Sequence, residues 1–149
     1  MNILNHLATG AAIALVVDKP AIALPVALVS HFVLDVVPHY GYPGEEGYKE
    51  AFRHRLSYLS LVFDAIGIAV LFTLVKDSIW VVFASAFLAI VPDAVWPYRY
   101  FMFERKNLAL PDSRYARFHA GIQWCEREWG IIIEVIYSIA LLLFIRGHV

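Results

Sequence analysis

The chain has 149 residues, of which 60% are hydrophobic and 17% charged, and its formal net charge is −1. Soluble domains average about 25% charged residues, so this composition excludes a disordered chain and argues against an ordinary soluble domain. The near-neutral charge also argues against nucleic-acid binding, and the single cysteine excludes an internal disulfide. The sequence therefore predicts a membrane protein with a single all-α domain, residues 1–149.

Five apolar segments follow one another along the chain and predict about five transmembrane helices. They comprise residues 3–17, 21–37, 56–75, 78–98 and 129–145. The third and fourth segments each hold a single charged residue, Asp64 and Asp93 respectively. Stretches of about 20 nearly uncharged residues match the thickness of the bilayer's hydrocarbon core. The first, second and fifth segments are at the lower limit of that length.

A polar segment precedes the fifth apolar segment and predicts an amphipathic helix over residues 112–128. Asp112 or Ser113 is expected to cap its first turn, because both residue types accept hydrogen bonds from free backbone N–H groups. This helix is expected to lie on the cytoplasmic side and to continue into the fifth span.

The distribution of basic residues predicts how the chain crosses the membrane. Five spans place the N-terminus, residues 39–55 and residues 99–128 on one side, and nine of the 12 Lys and Arg residues fall there. Because basic loops remain in the cytoplasm, we expect a multi-pass protein of the inner or plasma membrane. Its N-terminus is expected in the cytoplasm and its C-terminus outside.

The ionisable residues within the apolar segments all fall near the same, cytoplasmic, ends. Charges at membrane depth cost at least about 2.5 kcal/mol each and normally face a partner or a cavity. A shared depth across five helices therefore predicts one polar site open to the cytoplasm. The residues at this depth are His6, His31, Asp35, His39, Asp64, Asp93 and Glu134.

The spacing of His31 and Asp35 indicates the chemistry of this site. Residues four apart lie on one face of a helix, so an imidazole and a carboxylate would reach the same point. That mixture suits a divalent cation, with zinc favoured and manganese or iron as alternatives. His6 and Asp93 are at the right depth to complete the ligands. His39, Asp64 and His119 are candidates for catalytic acid, base or orienting roles.

Several of these residues stand in short motifs that resemble one known family. Ser30-His31-Phe32-Val33-Leu34-Asp35 with His39, the opening Asn5-His6, Val91-Pro92-Asp93 and His54-Arg55 are similar to motifs of the membrane-bound metal-dependent hydrolases, the YdjM-like inner-membrane proteins. The motif order differs, and Tyr58 stands where the family has a second histidine. The resemblance implies metal or catalytic roles for His6, His31, Asp35, His54 and Asp93.

The sequence therefore predicts a membrane-embedded metal-dependent hydrolase, with a phosphoester as substrate and a lipid among the candidates. The bilayer is its expected partner, and Arg53, Arg55, Arg99 and Arg117 stand where they could hold a phosphate. One alternative is a subunit of a metal-ion or proton transporter. The other is a non-catalytic membrane interaction protein, in which the polar residues only join helices.

Overall fold

The computed structural model describes residues 1–41 and 53–149, and these form seven α-helices. The prediction of an all-α fold is confirmed, since no strand occurs in the described ranges. Short 3-10 turns at Val91–Ala94 and Glu104–Lys106 flank the fifth helix. The helices are α1 (Ile3–Val16), α2 (Pro20–Val36), α3 (Arg55–Val75), α4 (Trp80–Ile90), α5 (Val95–Met102), α6 (Arg114–Ile122) and α7 (Gly130–Arg146).

Within the described ranges two helical segments, rather than the five predicted, are long and apolar enough to cross a membrane. They are Arg55–Val75 and Trp80–Lys106, the second of which runs through α4, α5 and the 3-10 turns. α1 and α2 are apolar but have only 14 and 17 residues, short of the roughly 20 that span the hydrocarbon core. Most of the predicted loop 39–55, with Lys49, lies outside the described residues.

The structure corrects two predicted element boundaries. The predicted span 78–98 is not one regular helix, because Pro92 removes a backbone donor and α4 gives way to the 3-10 turn. The predicted amphipathic helix is capped by Ser113, whose side chain accepts from the Ala116 amide. That helix ends at Ile122 instead of continuing, and in the turn that follows Arg127 donates its amide to the carbonyl of His39.

α1 lies at the centre of the bundle and packs against α2, α3, α4 and α7. Small residues permit this close packing, including Ala8, Ala11 and Gly10. A methyl group on Gly10 would collide with the backbone carbonyl of Ser85 on α4. The α1–α4 contact is therefore one in which two backbones approach directly, as small residues allow in membrane bundles.

The first turn of α1 is held by carboxylates from other helices. Glu134 of α7 accepts from the Asn2 amide at 2.8 Å, and Asp64 of α3 accepts from the Ile3 amide at 3.3 Å. Negative charge at the start of a helix is favoured by the helix dipole. These contacts bring the start of α1 to the polar end of the bundle, where α2 ends and α3 and α7 begin.

Apolar side chains cover the outer surface of the bundle. α2 exposes Ile22, Val26, Val29 and Val33 at intervals of three or four residues, which form one stripe along the helix. α7 exposes a similar stripe, made of Ile132, Ile136, Ile139 and Leu143. Polar side chains are buried inside the same helices, among them His31, Asp35 and Glu134. Apolar stripes of this length are unusual on a soluble protein, whose exposed apolar patches are small.

Candidate metal centre

Four side chains from three parts of the chain converge at the polar end of the bundle. His31 and Asp35 come from α2, Asp93 from the 3-10 turn after α4, and His119 from α6. Each offers one ligand atom, and these four atoms all lie within 4.8 Å of one another. His31, Asp35 and His119 are fully buried, whereas the Asp93 side chain is 20% exposed. Asp93 therefore marks the open side of the group.

The distances within the group are those of a compact ligand cage. Nε2 of His31 and Nε2 of His119 are 3.0 Å apart, and Oδ2 of Asp35 lies 3.2 Å from the first and 2.8 Å from the second. Oδ1 of Asp93 lies 3.7 and 3.6 Å from the same two nitrogens. A tetrahedral cation with bonds of about 2.0–2.2 Å separates its ligand atoms by about 3.3–3.6 Å. The observed distances of 2.8–3.7 Å lie on both sides of this spacing, so the four side chains could hold a divalent cation.

A backbone contact orients His31 for metal binding. Its Nδ1 lies 2.8 Å from the carbonyl oxygen of Ala89 on α4. A carbonyl accepts only, so Nδ1 carries the proton and Nε2 of the neutral ring has a free lone pair. Metal-binding histidines are commonly fixed in this way.

His6 of α1 lies directly beside the four-residue group. Its Nε2 is 3.2 Å from Oδ1 of Asp35 and 4.0 Å from Oδ2 of Asp93. Its ring stacks on that of His31, with centroids 4.1 Å apart. His6 thus faces the two carboxylate oxygens that are turned away from His31 and His119.

Aromatic and polar side chains surround His119. The rings of Trp96 and Tyr115 lie 5.5 and 5.6 Å from its imidazole, and Gln123 donates to Oδ2 of Asp35 at 3.4 Å. Burial, together with the carboxylates of Asp93 and Asp35, raises the pKa of the Tyr115 phenol. The phenol therefore stays protonated and donates to the carbonyl of Pro92 at 2.8 Å.

A buried guanidinium packs against the ring of Trp96, which in turn lies beside His119. Arg99 of α5 is 8% exposed, and its guanidinium carbon lies 5.1 Å from the ring centre of Trp96. Its Nε has no hydrogen-bond partner among residues 1–41 and 53–149. Because Trp96 also contacts His119, this guanidinium is a second neighbour of the candidate centre.

The structure brings together five of the eight predicted site residues: His6, His31, Asp35, Asp93 and His119. His119 joins the ligand group, although the sequence favoured a catalytic role for it. Asp64 lies elsewhere, bound to the first turn of α1. His39 faces Glu126, with Nε2 and Oε1 3.7 Å apart, and His54 is the N-cap residue of α3. The functional roles of these three residues stay predictions.

Helical spacing places Gln123 one turn after His119 on a shared face, and in the structure it donates to Asp35. Sequence reasoning missed Trp96 and Tyr115 as neighbours of the site. Tyr115 lies one helical turn before His119 on α6, so its spacing was a usable signal. Trp96 carries no comparable signal, because only the tertiary arrangement of α5 and α6 brings it to His119.

Comparison with known proteins adds no relative. No protein family, curated protein or solved structure matches the chain.

Proposed function

We propose that this protein is a membrane-embedded, metal-dependent hydrolase that acts on phosphoesters. The convergence of His31, Asp35, Asp93 and His119 carries this proposal, since four metal-binding side chains from distant parts of the chain meet at cage distances. The short motifs that resemble those of the YdjM-like membrane-bound hydrolases point to the same activity.

The exposed apolar stripes on α2 and α7 support the membrane location. Large apolar surfaces on a folded protein indicate contact with a membrane or a partner, and two segments have the length to span a bilayer. In this proposal all five apolar segments lie within the bilayer, with α1 and α2 crossing a locally thinned region. The site then lies at the cytoplasmic headgroup level, where a lipid phosphoester is within reach.

The donor set indicates the class of metal. Two imidazoles and two carboxylates suit zinc first, with manganese or iron as alternatives. A cation bound there supplies Lewis-acid activation of water and of the phosphoryl oxygen. The protein's own contribution is to hold the four ligands, through contacts such as that between His31 and Ala89, and to leave the Asp93 side open.

Arg99 is the residue that we assign to phosphate binding. A planar guanidinium matches phosphate oxygens with two parallel donors, and the buried position of Arg99 protects such a contact from water. It contacts Trp96, whose ring lies 5.5 Å from that of His119. A buried guanidinium that shares the neighbour Trp96 with His119 would favour an anionic substrate over a neutral ester or peptide.

The test is hydrolysis by detergent-purified protein, with bis(4-nitrophenyl) phosphate and phosphatidic acid in mixed micelles as substrates. We expect activity to be lost after removal of metal by a chelator and restored by zinc or manganese. His31→Gln should abolish both metal binding and activity, whereas His148→Gln, which removes an exposed histidine near the C-terminus, should preserve both. Wild-type protein that binds no metal would refute the proposal and favour a role of the polar residues in joining helices.

A further inference from the structure

We propose that a second divalent cation binds beside the first, held by Nε2 of His6 and by the second oxygens of Asp35 and Asp93. This inference rests on the proposed function, because both carboxylates would bridge the two ions. His6, which is not one of the four ligands of the first site, becomes a ligand of the second.

The two carboxylates divide their oxygens between two sets of nitrogens. Oδ2 of Asp35 and Oδ1 of Asp93 face His31 and His119. The opposite oxygens, Oδ1 of Asp35 and Oδ2 of Asp93, lie 3.2 and 4.0 Å from Nε2 of His6. A carboxylate placed in this way can bind one cation with each oxygen. Two such carboxylates side by side form a doubly bridged pair of sites.

The stacking of two imidazoles sets the spacing of the pair. The rings of His6 and His31 are 4.1 Å apart and inclined by only 24°. Because both Nε2 atoms approach the same two carboxylates, nearly parallel rings direct their lone pairs toward points about one stacking distance apart. Paired metal ions in hydrolases of phosphoesters lie about 3.5–4 Å apart. The ring spacing therefore agrees with that of a two-metal centre.

His6 has no competing role among the described residues. It is fully buried, and neither ring nitrogen has a hydrogen-bond partner within the described ranges. A buried polar side chain without such a partner is costly, so binding of a cation would satisfy Nε2. Oδ1 of Asp35 also accepts from the Met1 nitrogen at 2.8 Å, but a carboxylate has lone pairs for more than one partner.

Charge balance indicates what the second cation adds. Two carboxylates neutralise one divalent cation, since the histidines bind metals in their neutral form, and the Met1 ammonium, 2.8 Å from Asp35, already adds positive charge. A second cation leaves the centre with net positive charge, which an anionic phosphoester would compensate. The second site should therefore bind more weakly and fill at a higher metal concentration than the first.

The test is a manganese titration of chelator-treated protein, followed by metal analysis and electron paramagnetic resonance. We expect wild-type protein to bind two equivalents and to give the signal of two exchange-coupled Mn²⁺ ions. His6→Gln and His6→Asn should bind one equivalent and give the signal of an isolated ion. His148→Gln, the matched control at an exposed histidine, should behave as wild type.

The outcomes separate this inference from the proposed function. One uncoupled equivalent in wild-type protein would overturn the second site and leave the four-residue centre intact, whereas no bound manganese in wild-type protein would count against both. Loss of both ions in a folded His6 variant would also contradict the inference, because the first site does not need His6. If neither His6 variant folds, the stoichiometry and coupling of the wild-type protein decide the question.

Discussion

Asp35 is the residue at which the polar contacts of the site meet. Its two oxygens lie within 3.4 Å of groups on four other residues besides His31: Met1, His6, His119 and Gln123. It is fully buried, so its charge is not screened by water and needs partners of the opposite sign. Removal of this charge should therefore affect the centre more than any other single change.

Asp35→Asn should lower bound metal at least tenfold. The substitution preserves size and removes the negative charge, and loss even of an orienting partner costs roughly 10- to 100-fold in metal affinity. Elemental analysis of the purified variant measures the effect. Asp112→Asn, at an exposed carboxylate paired with Arg117, is the control and should retain the wild-type metal content. Equal metal content in the two variants would exclude Asp35 as a ligand.

Arg99→Gln should raise the KM for a phosphoester about tenfold or more while metal content stays unchanged. A hydrogen bond to a charged group contributes about 1.5–3 kcal/mol, and the Arg99 guanidinium is buried beside Trp96. Steady-state kinetics at saturating metal measure the effect. Arg117→Gln, which alters an exposed arginine, should leave KM unchanged. A lower kcat with constant KM in Arg99→Gln would contradict a role in substrate binding.

Contacts within one helix could be predicted from the sequence, whereas contacts between helices could not. The i, i+4 spacing of His31 and Asp35 identified a pair whose atoms are 3.2 Å apart, because a helix fixes that geometry locally. Helical spacing could not show that His119, 84 residues beyond Asp35, would lie 2.8 Å from it. That contact depends on how α6 folds back onto α2, which no periodicity encodes.

At the scale of elements, the close approach of α1 and α4 decides the shape of the site. α1 brings His6, while α4 brings the Ala89 carbonyl that orients His31 and leads into Asp93. Gly10 is the point of contact between the two backbones. The separation of these helices therefore affects the distance between His6 and Asp93.

Gly10→Ala should destabilise the protein by about 1–3 kcal/mol, the usual cost of forcing an extra carbon into a packed interior. The added methyl group meets backbone atoms of Ser85 and Ala86, which cannot move aside as a flexible side chain could. Thermal unfolding in detergent measures the change.

Gly121→Ala is the matched control for this prediction. Gly121 lies in α6, and nothing within 4 Å would meet an added methyl group. Because alanine favours helix over glycine by about 1 kcal/mol, this variant should be as stable as wild type or more stable. Equal melting temperatures for the Gly10 and Gly121 variants would show that α1 and α4 are not in tight contact.

Sequence patterns predicted the ends of four helices closely and the end of one helix poorly. The limits of α1, α2, α3 and α7 differ from the predicted spans by one residue, because the apolar runs end at charges, at Pro20 or at Pro38. The predicted helix 112–128 overran by six residues beyond Ile122. There the chain leaves the helix so that Arg127 can pair with His39, and a tertiary contact overrides local preference.

At the scale of the whole molecule, the clustering of ionisable groups at one end of the bundle is the feature that sequence predicted best. Four of the seven residues predicted at a common depth, His6, His31, Asp35 and Asp93, are neighbours in the structure. Chain reversal at each loop explains this, since alternate helix ends must meet at one side. The order of the helices around the bundle was not predictable, because the length of an apolar segment does not indicate which helix is central.

The five-span arrangement predicts a cytoplasmic N-terminus and an external C-terminus. Alkaline phosphatase fused after Arg146 should be active, because that enzyme folds only outside the cytoplasm, whereas the same reporter inserted after Leu108 should be inactive. Leu108 is exposed between the short turn and α6. The nine-to-three distribution of basic residues is the physical reason. Activity at Leu108 and none at Arg146 would reverse the topology.

The contacts between α1 and α7 have a consequence for biosynthesis. The side-chain amide of Asn5 has both partners on α7: its nitrogen donates to the carbonyl of Glu134, and its oxygen accepts from Ser138. A ribosome reaches those residues 129 and 133 positions after Asn5, so the polar end of the bundle closes only after α7 has been synthesised. A nascent chain that stalls earlier carries an unsatisfied amide in its first helix, a defect that membrane quality control can recognise.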